Sequence, residues 1–108
     1  MMGTAVKTLD VPVLKNNNAI IALAEDEAHL PEPTACIRCG RCVDVCPMSL
    51  IPTYLYHMNE KNNLDGLVGY NTMDCIECGS CAFACPAGKP LVQHMRLAKT
   101  ILREEGNK

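Results

Sequence analysis

Two stretches of the sequence share one cysteine pattern: Cys36-Ile-Arg-Cys39-Gly-Arg-Cys42-Val-Asp-Val-Cys46-Pro47 and Cys75-Ile-Glu-Cys78-Gly-Ser-Cys81-Ala-Phe-Ala-Cys85-Pro86. Each stretch has the spacing C-x2-C-x2-C-x3-C-P, and all eight cysteines of the chain lie within these two motifs. Seven of the twelve aligned positions are identical. We therefore expect the rest of the chain to hold two equivalent cysteine loops face to face.

The size of the chain indicates that these cysteines have a structural role. Its 108 residues make one small domain, with only three Tyr, one Phe and no Trp to fill a core. A core of this size usually needs a metal or disulfides to be stable. Residues 1–13 lack the apolar stretch of a secretory signal peptide. A reducing compartment with metal-bound thiolates is therefore favoured over a disulfide framework.

Charge argues against a nucleic-acid partner, and hydropathy argues against a membrane-spanning segment. The formal net charge is −2, and no basic patch with interleaved aromatic residues is present, so nucleic acid is not expected as a partner. The longest uninterrupted apolar run covers residues 19–24, far short of a membrane span. We expect no direct membrane span in this chain.

The first 34 residues are predicted to be an extended lead-in to a cluster domain at residues 35–108. Residues 11–14 and 20–23 have the composition of two short strands on either side of an Asn-rich turn, which together predict a short N-terminal β-hairpin. Residues 25–27 form an acidic run that we expect to be solvated. Pro31 and Pro33 then indicate a linker.

A helix is predicted after the first motif. Ile51, Tyr54, Leu55 and Met58 recur at i, i+3, i+4 and i+7, which is typical of an amphipathic helix. Ser49 is the predicted N-cap, with Pro52 early enough in the helix to be tolerated. Asn62 and Asn63 are expected to end it, and residues 64–69 are expected to form one further turn.

A second helix is predicted after the second motif, with Pro90 at its first position and Gly106 as its end. Its apolar stripe comprises Leu91, Met95, Ala98 and Leu102, widened by Val92 and Ile101. Its outward face is predicted to carry Arg96, Lys99 and Arg103. Each cysteine motif is thus followed by a helix, which predicts a mainly α domain.

The cysteine spacing is similar to that of bacterial two-cluster ferredoxins, which hold [4Fe–4S] clusters with this run. Gly40 and Gly79 stand between the second and third cysteines, where a residue without a Cβ lets the backbone turn tightly. In those ferredoxins the fourth cysteine of each run binds the other cluster. The resemblance implies cluster I on Cys36, Cys39, Cys42 and Cys85, and cluster II on Cys75, Cys78, Cys81 and Cys46. A zinc-bound interaction module remains an alternative, although zinc sites usually use two separated C-x2-C pairs.

The residues around the cysteines are similar to the cluster region of the C subunit in the Rnf (Rsx) family of electron-transport complexes. The similar stretches are Cys-Ile-Arg-Cys-Gly-Arg-Cys, Cys-Pro-Met-Ser-Leu-Ile-Pro, Cys-Ile-Glu-Cys-Gly-Ser-Cys, Pro90-Leu91-Val92 and the lead-in Val11-Pro12-Val13. The resemblance implies an electron-transfer domain that transforms no substrate itself, within a membrane-associated, ion-translocating ferredoxin:NAD oxidoreductase. It also implies a peripheral place on the cytoplasmic side of the cell membrane.

The resemblance further implies partners and a fold. The expected partners are other subunits of the complex, including a ferredoxin-type subunit, and a flavin- and NADH-binding domain for which this chain has no Gly-rich loop. The chain is therefore expected to be a C-terminal piece of a longer subunit. With 28 residues between Cys46 and Cys75, an α-helical ferredoxin fold is favoured, and the compact βαββαβ ferredoxin fold is the alternative. A free dicluster ferredoxin and the cluster subunit of another oxidoreductase, such as a heterodisulfide reductase, remain alternative functions.

The residues between the cysteines differ between the two motifs. Arg38 and Arg41 interleave the first motif, whereas Glu77 and Ser80 occupy the matching positions of the second. Positive charge near a cluster favours its reduced state, so these arginines predict that cluster I has the higher potential. The competing interpretation is that both arginines point into solvent, where salt screens them. No histidine lies within a cysteine motif, and His29, His57 and His94 are expected to have surface or packing roles.

Overall fold

All regular secondary structure in the described part of the chain is helical. The computed structural model describes residues 6–106, so the first five residues of the predicted lead-in and the last two of the predicted cluster domain lie outside it. The helices, in order, are α1 (Glu25–Ala28), α2 (Arg41–Asp44), α3 (Pro52–Glu60), α4 (Leu64–Gly69), α5 (Ser80–Ala84) and α6 (Leu91–Gly106), with a 3₁₀ turn at Thr72–Asp74 between α4 and α5. Residues 6–106 contain no strand. The mainly α prediction is confirmed, and the βαββαβ alternative is not observed.

The predicted N-terminal β-hairpin is wrong. Residues 11–14 and 20–23 have no regular secondary structure. A single turn lies between them, in which the Asn17 amide donates to the Leu14 carbonyl at 3.0 Å. Every residue from 6 to 35 is exposed. Two strands with no third strand or helix beneath them bury too little apolar surface to be stable. The boundary between residues 34 and 35 stays a prediction.

The acidic run at residues 25–27 is exposed, as predicted, and forms the one-turn helix α1. After it, the Thr34 amide donates to the Ala87 carbonyl of the cluster region at 2.9 Å. Pro31 and Pro33 lie close to Gly88 in the same region, directly after the second cysteine motif. The end of the lead-in therefore lies against the second motif.

Helix α3 begins later than predicted and buries a different face. Ser49 is not its N-cap: its φ is +54°, its amide donates to the Cys46 carbonyl at 3.1 Å, and the cap is Ile51. The tail of the cysteine loop thus turns through a left-handed residue before Pro52 begins the helix. The buried residues of α3 are Pro52, Leu55, Tyr56 and Asn59.

The position of α6 explains which face of α3 is buried. Tyr54, predicted to face inward, is 51% exposed. Tyr56 instead packs against His94 of α6 with 4.2 Å between ring centroids, and Asn59 Nδ2 donates to the His94 carbonyl at 3.3 Å. These contacts with a distant helix rotate the buried stripe by one residue.

The predicted turn after α3 is confirmed as helix α4. Helix α3 ends at Glu60, and Asn62 follows with φ +51°. The Asn63 side chain then caps α4 by accepting from the Gly66 amide at 3.0 Å. Leu67 of α4 is fully buried.

Helix α6 begins at Leu91, one residue after the predicted start at Pro90, and runs to Gly106, the last residue that the structure describes. Its predicted end at Gly106 stays a prediction. Leu91, Val92, Met95 and Ala98 are buried along its length, which confirms most of the apolar stripe. The prediction for Lys99 is wrong: this residue is only 7% exposed. Its contacts belong to the second cysteine loop and are described below.

The apolar core joins α3, α4 and α6. It consists of Leu50, Leu55, Leu67, Met95 and Ala98, and the partly buried residues packed against it include Cys46 and Cys75. The core and the cysteine loops are therefore one continuous packing unit. No helix in residues 6–106 has the length and apolar content needed to cross a membrane.

We expect Leu55→Ala to lower the free energy of unfolding of the cluster-loaded protein by about 2–5 kcal/mol, because the fully buried side chain leaves a cavity between the helices. Anaerobic chemical denaturation followed by circular dichroism measures this loss. Leu97→Ala is the matched control, since Leu97 is 53% exposed on α6 and should cost no more than about 0.5 kcal/mol. Equal losses in the two variants would contradict the proposed core.

Candidate metal centres

The two cysteine loops have the same backbone conformation. Gly40 and Gly79 have φ values of +79° and +86°, and Arg38 and Glu77, in the matching position between the first two cysteines, have φ values of +54° and +57°. The sequence predicted the tight turn at the glycines. It did not predict the left-handed conformation at Arg38 and Glu77. These two residues differ in chemistry and share only their position in the repeated motif. The two motifs are thus a structural repeat as well as a sequence repeat.

Backbone amides point at the cysteine sulfurs in both loops. The Arg38 amide donates to Cys36 Sγ and the Glu77 amide to Cys75 Sγ, both at 3.4 Å. The Leu50 amide donates to Cys46 Sγ at 3.3 Å. Such donors stabilise negative charge on sulfur, which suits a thiolate ligand.

The first cavity takes thiols from both motifs. Helices α2 and α5, which begin directly after Gly40 and Gly79, contact each other and bring the loops together. The cavity has a volume of about 530 Å³, and Thr53 and His57 of α3 form part of its wall. Its cysteines are Cys36, Cys39 and Cys42 of the first motif and Cys85 of the second.

The second cavity has the reciprocal composition. Its cysteines are Cys75, Cys78 and Cys81 of the second motif and Cys46 of the first. The space left between its side chains is about 20 Å³, because apolar residues of the core, including Leu55 and Met95, close around it. The second set of thiols is therefore the more tightly packed.

The pKa values of the thiols reflect these surroundings. Burial raises the pKa of Cys81 to about 11, and the thiols of Cys75, Cys78 and Cys46 add to the rise. Burial also raises the pKa of Cys42, with smaller contributions from Cys85 and Cys36. Hydrogen bonds lower the pKa of two more exposed thiols, from the Arg38 amide to Cys36 and between Ser80 and Cys78. Four neighbouring thiolates repel one another, so a positively charged metal core is needed to keep them all deprotonated.

The donor set fits iron–sulfur clusters. All eight cysteines lie in the described residues and none is joined in a disulfide, while a [4Fe–4S] cluster takes four thiolate ligands. Residues 6–106 contain no group of three or more His, Cys, Asp and Glu side chains arranged to hold a single metal ion. Four thiols line the wall of each cavity, and a cubane cluster needs four thiolates, one for each iron atom.

The three histidines differ in their surroundings. His29 is exposed, and His94 packs against Tyr56 and lies 3.1 Å from Asn59 Nδ2 through its Nδ1. His57 lines the first cavity and has its Nδ1 3.2 Å from Glu60 Oε2.

Sequence reasoning missed a cluster of charges beside the second loop. The buried Lys99 ammonium donates to the Cys75 carbonyl and, at 3.1 Å, to Glu77 Oε1, while Arg96 Nε donates to Glu77 Oε2 at 2.9 Å. These two cations, Lys99 foremost, lower the pKa of the Glu77 carboxyl. The sequence carried part of the signal, since Lys99 follows the buried Val92 and Met95 at i+7 and i+4, but nothing in it indicated the carbonyl and carboxylate that receive the ammonium group.

The sequence of the cysteine-rich region matches a known family. Residues 35–89 match the family described as a 4Fe-4S dicluster domain. The chain belongs to this family. The cofactors that the sequence predicted, two [4Fe–4S] clusters, are those of the family.

Relatives carry the name of one part of a larger complex. The chain is 48% identical over 104 residues to the C subunit of the ion-translocating oxidoreductase complex of Yersinia pestis, covering 95% of this chain and 17% of the relative. It is 47% identical over 111 residues to the protein of the same name in Pseudomonas aeruginosa, covering 100% and 14%. It is 43% identical over 110 residues to the C subunit of the Na(+)-translocating ferredoxin:NAD(+) oxidoreductase complex of Acetobacterium woodii, covering 99% and 25%. The chain thus spans a quarter or less of the length of these relatives.

We expect Gly40→Ala to destabilise the cluster-loaded protein by about 1–2 kcal/mol, because an alanine at φ +79° is strained although its Cβ would meet no atom within 4 Å. Gly69→Ala is the matched control, since its Cβ also meets nothing but its φ is not positive. That variant should be neutral or up to about 1 kcal/mol more stable. Denaturation midpoints measure both, and equal effects would show that backbone strain is not the cause.

Proposed function

We propose that this chain relays single electrons through two [4Fe–4S] clusters as the cluster-bearing part of the C subunit of an ion-translocating ferredoxin:NAD oxidoreductase complex. The observation that carries the proposal is the exchange of one thiol between the two cavities. It supports cluster I on Cys36, Cys39, Cys42 and Cys85, and cluster II on Cys75, Cys78, Cys81 and Cys46. The names of the relatives support the assignment to the C subunit.

The residues of the chain do the work of holding and tuning the cofactors. A [4Fe–4S] cluster accepts and releases one electron at a time. The protein supplies ligation, orientation and electrostatics and transforms no substrate itself. The amides of Arg38, Leu50 and Glu77, which donate to cysteine sulfurs, stabilise the charge that gathers there. The exchange of Cys46 and Cys85 holds the two loops against each other, which keeps the path for the electron short.

The proposed place of the chain follows its relatives. It lies at the periphery of a membrane-bound complex, on the cytoplasmic side. Its partners are a ferredoxin-type subunit and a flavin- and NADH-binding domain. Relatives of which this chain covers a quarter or less have room for such a domain beside the matched region.

Metal analysis of the anaerobically purified protein tests the cofactor content. Two [4Fe–4S] clusters require about eight irons and about eight acid-labile sulfides per chain. On reduction, each cluster should also give an electron paramagnetic resonance signal. About two zinc ions with no sulfide would instead support a zinc-bound interaction module.

Paired cysteine substitutions test the proposed exchange of ligands. If Cys46 binds cluster II, Cys46→Ala with Cys78→Ala removes two ligands of one cluster and should leave about four irons. Cys46→Ala with Cys39→Ala removes one ligand from each cluster and should reduce the iron content further, towards none. Iron and sulfide per folded chain, checked by circular dichroism, is the measurement.

The same pairs contain their own control, because both carry Cys46→Ala and both remove two cysteines. The opposite order of iron contents would mean that each motif binds its own cluster. Cys85→Ala repeats the experiment from the other side: with Cys39→Ala it should retain about four irons, and with Cys78→Ala fewer.

A further inference from the structure

Three charged side chains are joined by hydrogen bonds beside the second cysteine loop: one belongs to the loop, and two belong to α6. Lys99 and Arg96, one turn apart on α6, both donate to the carboxylate of Glu77, which stands between Cys75 and Cys78. Lys99 also donates to the carbonyl of Cys75. Because two cations share one carboxylate, the group has a net positive charge, and its most buried cation touches a residue of the second ligand set.

Burial distinguishes this group from the charges of the first loop. The side chain of Lys99 is 8% exposed, whereas those of Glu77 and Arg96 are 25% and 39% exposed. Arg38 and Arg41 of the first loop are exposed, and Lys89, which lines the first cavity together with Arg38, is only partly buried. Arg38 stands in the position that matches Glu77, with nearly the same φ, so the two loops can be compared residue for residue.

A buried charge acts on a nearby cofactor more strongly than an exposed charge does. Salt and water screen exposed charges strongly, while a buried charge is screened much less. The electron that a cluster accepts adds negative charge, which a nearby buried cation stabilises. Net charge, hydrogen bonding and solvent exposure are the factors that set the potential of iron–sulfur sites.

We propose that Lys99 is a positioning and tuning residue whose buried charge raises the reduction potential of cluster II. The proposal rests on the proposed function, since it needs a cluster on the second ligand set. The order of the two potentials, which Arg38 and Arg41 predicted from sequence, stays a prediction. Lys99 also ties α6 to the second loop, so the test must separate its charge from its role as a structural link.

Charge changes of opposite sign make that separation. In the intact chain, loaded with clusters under anaerobic conditions, Lys99→Met removes a positive charge and should lower the potential of cluster II. Glu77→Gln removes a negative charge and should raise it. The double variant restores the net charge and should return the potential towards that of the parent. A purely structural link predicts no such opposite shifts, and the double variant would then be the most perturbed.

Redox titration followed by electron paramagnetic resonance is the measurement. Cluster II is identified as the signal lost in Cys78→Ala. We expect Lys99→Met to change the ratio of reduced to oxidised cluster II at a given potential by about tenfold, which is about 59 mV for one electron. Lys99→Arg keeps the charge and should stay near the parent. Arg38→Gln with Arg41→Gln, the matched change in the first loop, should move either potential much less.

Each outcome has a defined meaning. Unmoved potentials in variants that keep about eight irons, or shifts of the same sign in Lys99→Met and Glu77→Gln, would overturn the inference and leave the electron relay standing. A parent protein without iron–sulfur clusters would overturn the proposed function itself. If Lys99→Met loses its iron, Lys99→Gln takes its place, and a potential of cluster II that is unmoved or raised in that variant would overturn the inference.

Discussion

The exchange of one thiol between the two cysteine motifs is the constraint on which the rest of the structure depends. Cys46 lies in the cavity of the second motif and Cys85 in that of the first. The chain between the motifs must therefore bring the two loops side by side, and α2 and α5 contact each other where the loops meet. Helices α3, α4 and α6 then fill the space behind the loops, with Cys46 and Cys75 packed directly against their core.

The apolar core behind the cysteine loops is small. Only a few large side chains, such as Leu55, Leu67 and Met95, are fully buried. A core of that size contributes little beyond the entropic cost of ordering the chain. Ligands drawn from both motifs would join residues far apart in sequence, and metal binding of that kind is coupled to folding. The exposed lead-in shows the contrast, because from residue 6 onward it has no such cross-link and no regular structure before α1.

The repeated motif does not produce two equivalent sites. The backbones of the loops match at Arg38 and Glu77, yet α6 lies beside the second loop and brings Lys99 to it. Helix α3 borders both cavities, but the first is roomier, whereas the apolar core residues Leu55 and Met95 line the second. A sequence repeat thus acquires two electrostatic environments from the helices packed around it.

The sequence by itself determined the local and chemical features. Cysteine spacing predicted the cofactors, Gly40 and Gly79 the tight turns, and apolar periodicity with Pro90 the course of α6. These depend on residues close together in the chain, so propensity and spacing suffice to predict them. The prediction of a hairpin was wrong because the composition suited strands, but no other element within residues 6–106 lies against residues 11–14 and 20–23 to bury their apolar side chains.

Only the tertiary structure decided which elements meet. It placed Cys46 and Cys85 in each other's cavities, turned Tyr56 and Asn59 of α3 towards His94, and buried Lys99 beside the second loop. In each case the partner lies far away in sequence, and an amphipathic pattern does not say what a face will pack against. A lysine next to an apolar stripe extends into solvent unless a carbonyl and a carboxylate are there to receive it, and that depends on where the second loop lies relative to α6.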